Sequence, residues 1–170
     1  MPSTTTAAII NSQFHAALDM LEQTIQRCPD GVWYDDAPKN KAWHIAYHAL
    51  FYVHLYLQPS DADFVPWAKH RENYNVMGGR LGYPPFTEVI TDKPYSQAEL
   101  LDYLAIGRAE VDKQTAALDL DAPSGFDWLP FGKLELQFYS LRHLMMHIGE
   151  VADRLGTQGI DVEWRGAKSQ

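Results

Sequence analysis

Apolar residues return at three- and four-residue steps in four stretches of this chain, and nowhere alternate long enough to suggest a strand. From about Thr5 to Arg27, Ile10, Phe14, Leu18, Leu21 and Ile25 make one stripe, and Pro29 and Gly31 are expected to stop the helix. From about Lys39 to Leu57 the chain is apolar around most of the helical circumference, which predicts the most buried helix, ended by Pro59. The third helix is predicted to start at Ser96, because Ser96 and Glu99 have the spacing at which hydroxyl and carboxylate cap each other's backbone N–H. Its inner face would carry Leu100, Leu104, Val111 and Leu118. From about Leu134 to Leu155 the stripe Phe138, Leu141, Met145, Ile148, Ala152 and Leu155 predicts a fourth helix, with Gly156 as its stop.

Between the second and third helices lies a long connection with Pro59, Pro66, Gly78, Gly79, Pro84, Pro85 and Pro94. Trp67, His70, Tyr74, Tyr83 and Phe86 make it aromatic, so it is expected to pack on the helices and not to act as a free linker. The expected architecture is all-α: one domain over residues 1–170, a four-helix bundle with a long crossover between helices two and three.

Composition narrows the setting. With 46% hydrophobic residues the chain can bury a core, and a net charge of -8 repels phosphate backbones, so nucleic acid is not an expected partner. No run approaches the roughly twenty apolar residues of a membrane span, and the N-terminal segment lacks a basic signal region. Cys28 is the single cysteine, so no internal disulfide can form. A cytoplasmic setting is expected. Pro29, Asp30 and Gly31 follow Cys28, and nothing beyond Arg27 is placed to lower its pKa, so it is a poor nucleophile candidate.

The candidate chemistry lies in the histidines. His143 and His147, one helical turn apart, present their rings on one face, and Glu150 continues it at i+7, within reach of binding the metal or of supporting a ligand from behind. That face borders the apolar stripe of helix four, where unpartnered imidazoles would be costly and a shared metal ion would satisfy both. A third ligand would come from helix two. His48 shares a face with Ile45, Phe51, Tyr52 and Leu55, while His44, one turn nearer the helix start, competes with it. His44 and His54 are otherwise expected as surface or packing residues, and His15 and His70 have no partner at ligand spacing. Glu110 and Asp112 read as a solvated face. Gly78–Gly79 has neither P-loop nor dinucleotide spacing, and no G-x-S-x-G elbow occurs.

The WHIAYHALFYVHLYL and RHLMMHIGEVADRL segments, their order and separation, and the Trp164-Arg165-Gly166 ending together resemble the DinB/YfiT-like superfamily of metal-dependent enzymes over nearly the whole chain. The resemblance implies a four-helix bundle, often a homodimer, with a divalent metal (zinc or nickel) on one histidine of helix two and two of helix four. On this chain those are His48, His143 and His147. It also implies a small-molecule substrate, in some relatives with a low-molecular-weight thiol.

Two functions follow as expectations. In the first, the metal activates a water or thiol for hydrolysis or thiol transfer. Glu150 or Tyr139 would handle protons, and Trp67, Tyr74, Tyr83 and Phe86 would shape an apolar pocket. In the second, a closed fourth ligand from His44, His54 or Glu150 makes the metal a mere brace, or no metal binds.

Overall fold

The computed structural model describes residues 5–168, so positions 1–4 of the N-terminal segment read above lie outside it. Its elements are α1 (Thr6–Arg27), α2 (Asp30–Trp33), α3 (Ala42–Leu57), a 3-10 turn at Asp61–Asp63, α4 (Gln97–Ala116) and α5 (Lys133–Gly156). The described residues contain no strand, only the isolated bridges Arg80–Glu88 and Pro123–Gly132. None of the helices is long and apolar enough to cross a membrane.

The caps follow the local chemistry. Thr5 Oγ1 accepts the Ala8 N–H at 3.2 Å at the start of α1. At α4, Ser96 Oγ accepts the Glu99 N–H while Glu99 Oε2 accepts the Ser96 N–H at 2.9 Å, the predicted reciprocal cap. The stripe of α1 is buried as predicted, from Ile10 through Phe14, Leu18 and Leu21 to Ile25. α1 packs on α4 and α5, and α3 packs on α5 and α4.

Three details depart from the sequence expectations. α1 stops before Pro29 as expected, but the Pro29 carbonyl accepts the N–H groups of Val32 and Trp33 and starts a one-turn α2 that the sequence pattern did not predict. Trp33, fully buried with its indole N–H on the Tyr95 carbonyl at 2.9 Å, supplies the packing that holds this turn against Gly31. α4 ends at Ala116, where Ala117 N–H turns back to the Gln114 carbonyl, so Leu118 packs from a turn and not from the helix. Glu110 and Asp112 do not form a merely solvated face. Glu110 accepts from Gln58 and Gln114, and Asp112 accepts from Asn11, His15 and Lys168, which ties α4 to α1 and to the end of α3.

The largest departure is in α5. Its buried face is Leu136, Gln137, Ser140, Leu144, His147, Ile148, Val151 and Leu155, while Phe138 is 65% exposed and Leu141, Met145 and Ala152 are half-buried. The helix is rotated from the apolar stripe toward a face that carries polar groups. Phe138, Leu141 and Met145 instead line a shallow groove with Ala16, Ala17 and Met20 of α1.

The long connection is held by aromatic packing. The Trp67 ring lies parallel to Tyr103 of α4 at 4.6 Å, and Tyr95 stacks on Tyr47 of α3 at 4.7 Å. The Arg71 guanidinium covers Tyr95 at 4.3 Å, and Tyr95 Oη donates to the Lys69 carbonyl. Residues 67–77 are thereby laid along the side of α3, which brings Asn75 to the functional site.

Candidate metal centre

Every residue of α3 except His48 and Tyr52 is buried. A helix enclosed by α4, α5 and the long connection has little surface left, and these two positions, one turn apart, are where it opens onto a cavity. His48 meets His143 and His147 across the α3–α5 contact. His48 Nε2 is 3.0 Å from His143 Nε2, and His147 Nε2 is 3.1 Å from the same atom. One ligand nitrogen from each ring lies within 4.8 Å of the other two.

The outer nitrogens determine the tautomers. His48 Nδ1 lies 2.7 Å from the Asn75 carbonyl oxygen, an acceptor only, so the ring must donate there. His147 Nδ1 lies 2.7 Å from Glu150 Oε2, where an ionised carboxylate likewise accepts the ring proton. In the neutral rings both Nε2 atoms then turn lone pairs toward His143. Burial, with the neighbouring His147 adding to it, pushes the His48 pKa down to about 3 and the His143 pKa down to about 4, so both rings are neutral near pH 7. His143 Nε2 can carry one proton at most, which cannot satisfy two facing lone pairs. A cation among the three nitrogens satisfies all of them. Two ligands about 2.0–2.1 Å from one ion stand roughly 3.0–3.4 Å apart at ordinary coordination angles, so the residues fit a divalent metal.

The remaining histidines are committed elsewhere. His44, buried, places Nε2 2.7 Å from the Tyr74 carbonyl oxygen, and His54 places Nδ1 3.2 Å from Tyr103 Oη. Both are packing residues, as the plainer expectation had them, and neither joins the cluster. His44 and His48, one turn apart, thus take the successive carbonyls of Tyr74 and Asn75 and lock the connection onto α3. His15 pairs with Asp112 at 2.8 Å, and His70 Nδ1 meets Tyr47 Oη at 2.6 Å. Cys28 is buried, and burial pushes its thiol pKa up to about 11, away from nucleophile chemistry.

A cavity of about 710 Å³ opens beside His48 and His143, lined by Phe51, Tyr52, Leu55, Tyr56, Asn75, Tyr83, Trp128 and Tyr139. Of the aromatic residues expected from the connection only Tyr83 reaches it; Trp67 and Tyr74 are buried elsewhere, and Phe86 is 45% exposed. Most of the wall comes from α3 and α5, with Trp128 from the turns before α5. A second cavity, about 690 Å³, lies among residues 121–132 and has no histidine in its wall. Tyr139 stands in the wall of the first cavity; Glu150 does not, because it sits behind His147. Sequence reasoning missed Asn75, whose contribution is a backbone carbonyl. Only the polar break between Tyr74 and Val76 hinted at it.

Glu150→Ala is expected to weaken zinc binding by about 10–100-fold, the usual cost of losing a carboxylate behind a ligating imidazole. Competitive titration against a chelating dye measures this, and unchanged affinity would show that the carboxylate does not orient the ring. In comparisons with known proteins, no protein-family model, no curated protein and no solved structure matches this chain.

Proposed function

We propose that this chain is a DinB/YfiT-like bundle of α1, α3, α4 and α5, with residues 58–96 as its long crossover. In this reading it holds one divalent ion, zinc or nickel, on His48, His143 and His147 and works as a metal-dependent enzyme, a hydrolase or a small-thiol-dependent transferase. The observation that carries the reading is the outer-nitrogen pattern: Asn75 and Glu150 each take a ring proton, so two Nε2 lone pairs point at a third imidazole. When bound, such an ion supplies a Lewis acid able to activate water or a low-molecular-weight thiol.

The chain's own groups divide the remaining work. Asn75 and Glu150 hold the ligand tautomers. Tyr139, packed edge-on against the Tyr56 ring in the cavity wall, is the group placed to pass a proton to or from a substrate. Glu150 acts through His147 and is a positioning residue, the supporting role of those that the sequence suggested for it. The open enzymatic site is favoured over a bracing one because the candidate fourth ligands are engaged: His44 on Tyr74, His54 on Tyr103 and Glu150 on the far nitrogen of His147. The homodimer implied by the resemblance would use the groove between α1 and α5 that Phe138, Leu141 and Met145 line; sedimentation of the purified chain tests it.

The test is a metal-stripped and metal-restored assay of ester and amide hydrolysis, beside transfer of small thiols to electrophilic acceptors. Turnover should vanish with the metal and return with it. Cys28→Ala should keep full turnover, because a buried thiol far from ionisation contributes nothing. Hydrolysis indifferent to every thiol would reject the transferase version, and turnover indifferent to metal would reject the reading.

A further inference from the structure

We infer that the cavity beside the three histidines takes a small amphiphile, with one anionic, metal-binding head on a flat, otherwise uncharged apolar body. The inference rests on the proposed metal site and names its substrate class. The walls are Phe51, Tyr52, Tyr56, Tyr83, Trp128 and Tyr139, with Leu55 and Asn75 between them. Among the described residues no Lys, Arg, Asp or Glu lines the cavity. A body carrying its own charge would leave water there without a partner. The volume of about 710 Å³ lies within the roughly 300–1,000 Å³ of ligand pockets, and aromatic walls suit a flat apolar body.

Several polar groups of the wall interact with one another, and all of them are uncharged. The Tyr52 hydroxyl interacts with the Asn75 side chain, and the Tyr56 hydroxyl interacts with Trp128 and Tyr139. They leave few donors waiting for a heavily oxygenated ligand. The charged groups nearby lie outside the cavity. Arg142 lies over the Tyr139 ring at 5.6 Å and faces the groove between α1 and α5. Glu150 lies behind His147.

The head follows from charge balance. Three neutral imidazoles leave a divalent ion with its full charge, and Glu150 offsets about one unit from the far edge of a ring. One positive charge therefore remains at the end of an apolar cavity, where a single carboxylate, phenolate or thiolate neutralises it. Ligands with several charges along their length match neither half of the site.

Calorimetry on zinc-loaded protein with four probes tests this: 2-naphthoate, 2-naphthylmethanol, 1,5-naphthalenedicarboxylate and acetate. 2-Naphthoate should bind at least about tenfold more tightly than each of the others, which lack the head, add a charge to the body or lack the body. Trp128→Leu should weaken 2-naphthoate severalfold with zinc content unchanged. Equal affinity for the dicarboxylate, the alcohol or acetate overturns the inference while leaving the metal site standing. Protein that takes up no zinc removes the metal reading, and this inference falls with it.

Discussion

Alanine at His48, His143 or His147, one at a time, is expected to weaken divalent-metal binding by more than about 100-fold, since losing even a supporting group behind a ligand costs about 10–100-fold. Each ring supplies one of three converging Nε2 atoms, and the two imidazoles left by any one substitution make a weak chelate. Metal analysis after gel filtration, with circular dichroism as the folding control, reads the effect. His44→Ala should keep the metal, because its ring is spent on the Tyr74 carbonyl. Loss of metal in His44→Ala with retention in His48→Ala would transfer the α3 ligand to the wrong turn and refute the geometry. Equal binding by all of the variants would remove the metal centre.

Gly125→Ala is expected to destabilise the fold by about 3 kcal/mol, the sum of a left-handed backbone penalty and forced overpacking. Gly125 has φ +88°, and a Cβ there would stand 2.0 Å from the Pro59 carbonyl oxygen. The buried Lys133 ammonium bridges the same two segments. Its Nζ donates to the carbonyls of Gln58 at 3.2 Å and Pro59 at 2.9 Å, at the C-terminal end of α3, and to Ser124. Added bulk at position 125 must part the segments and break that node. Urea unfolding measures the change through the midpoint at constant slope. A loss under about 1 kcal/mol would show that the turn relaxes freely. Phe126 and Trp128 follow directly, and Trp128 lies in the cavity wall, so the variant should also loosen ligand binding there.

The sequence was most legible where local chemistry and burial agree. The α1 stripe, the Ser96–Glu99 cap and the near-complete burial of α3 all appear in the structure as read. The His143–His147 pair was visible from its one-turn spacing, and His48 from the helical face it shares with Ile45, Phe51, Tyr52 and Leu55. The rotation of α5 was hidden because its buried face spends positions on Gln137, Ser140 and His147, while Phe138 and Met146 face outward. An apolar stripe reports average burial, and a helix that carries a polar site inside the fold displaces that average. Asn75 was illegible for another reason: it serves through a carbonyl that any residue would supply, positioned by Trp67, Tyr95 and His44 far from it in sequence. Glu150 was visible as a nearby carboxylate, but its side of the imidazole depends on the ring's rotation, which spacing does not encode.

The most direct test of the three-histidine metal centre is anomalous diffraction from crystals of the zinc-loaded protein. One zinc peak is expected about 2.0–2.1 Å from Nε2 of His48, His143 and His147, with a non-protein ligand on the side facing Tyr52 and Tyr139. Zinc bound elsewhere, or a fourth protein side chain closing that side, would contradict it.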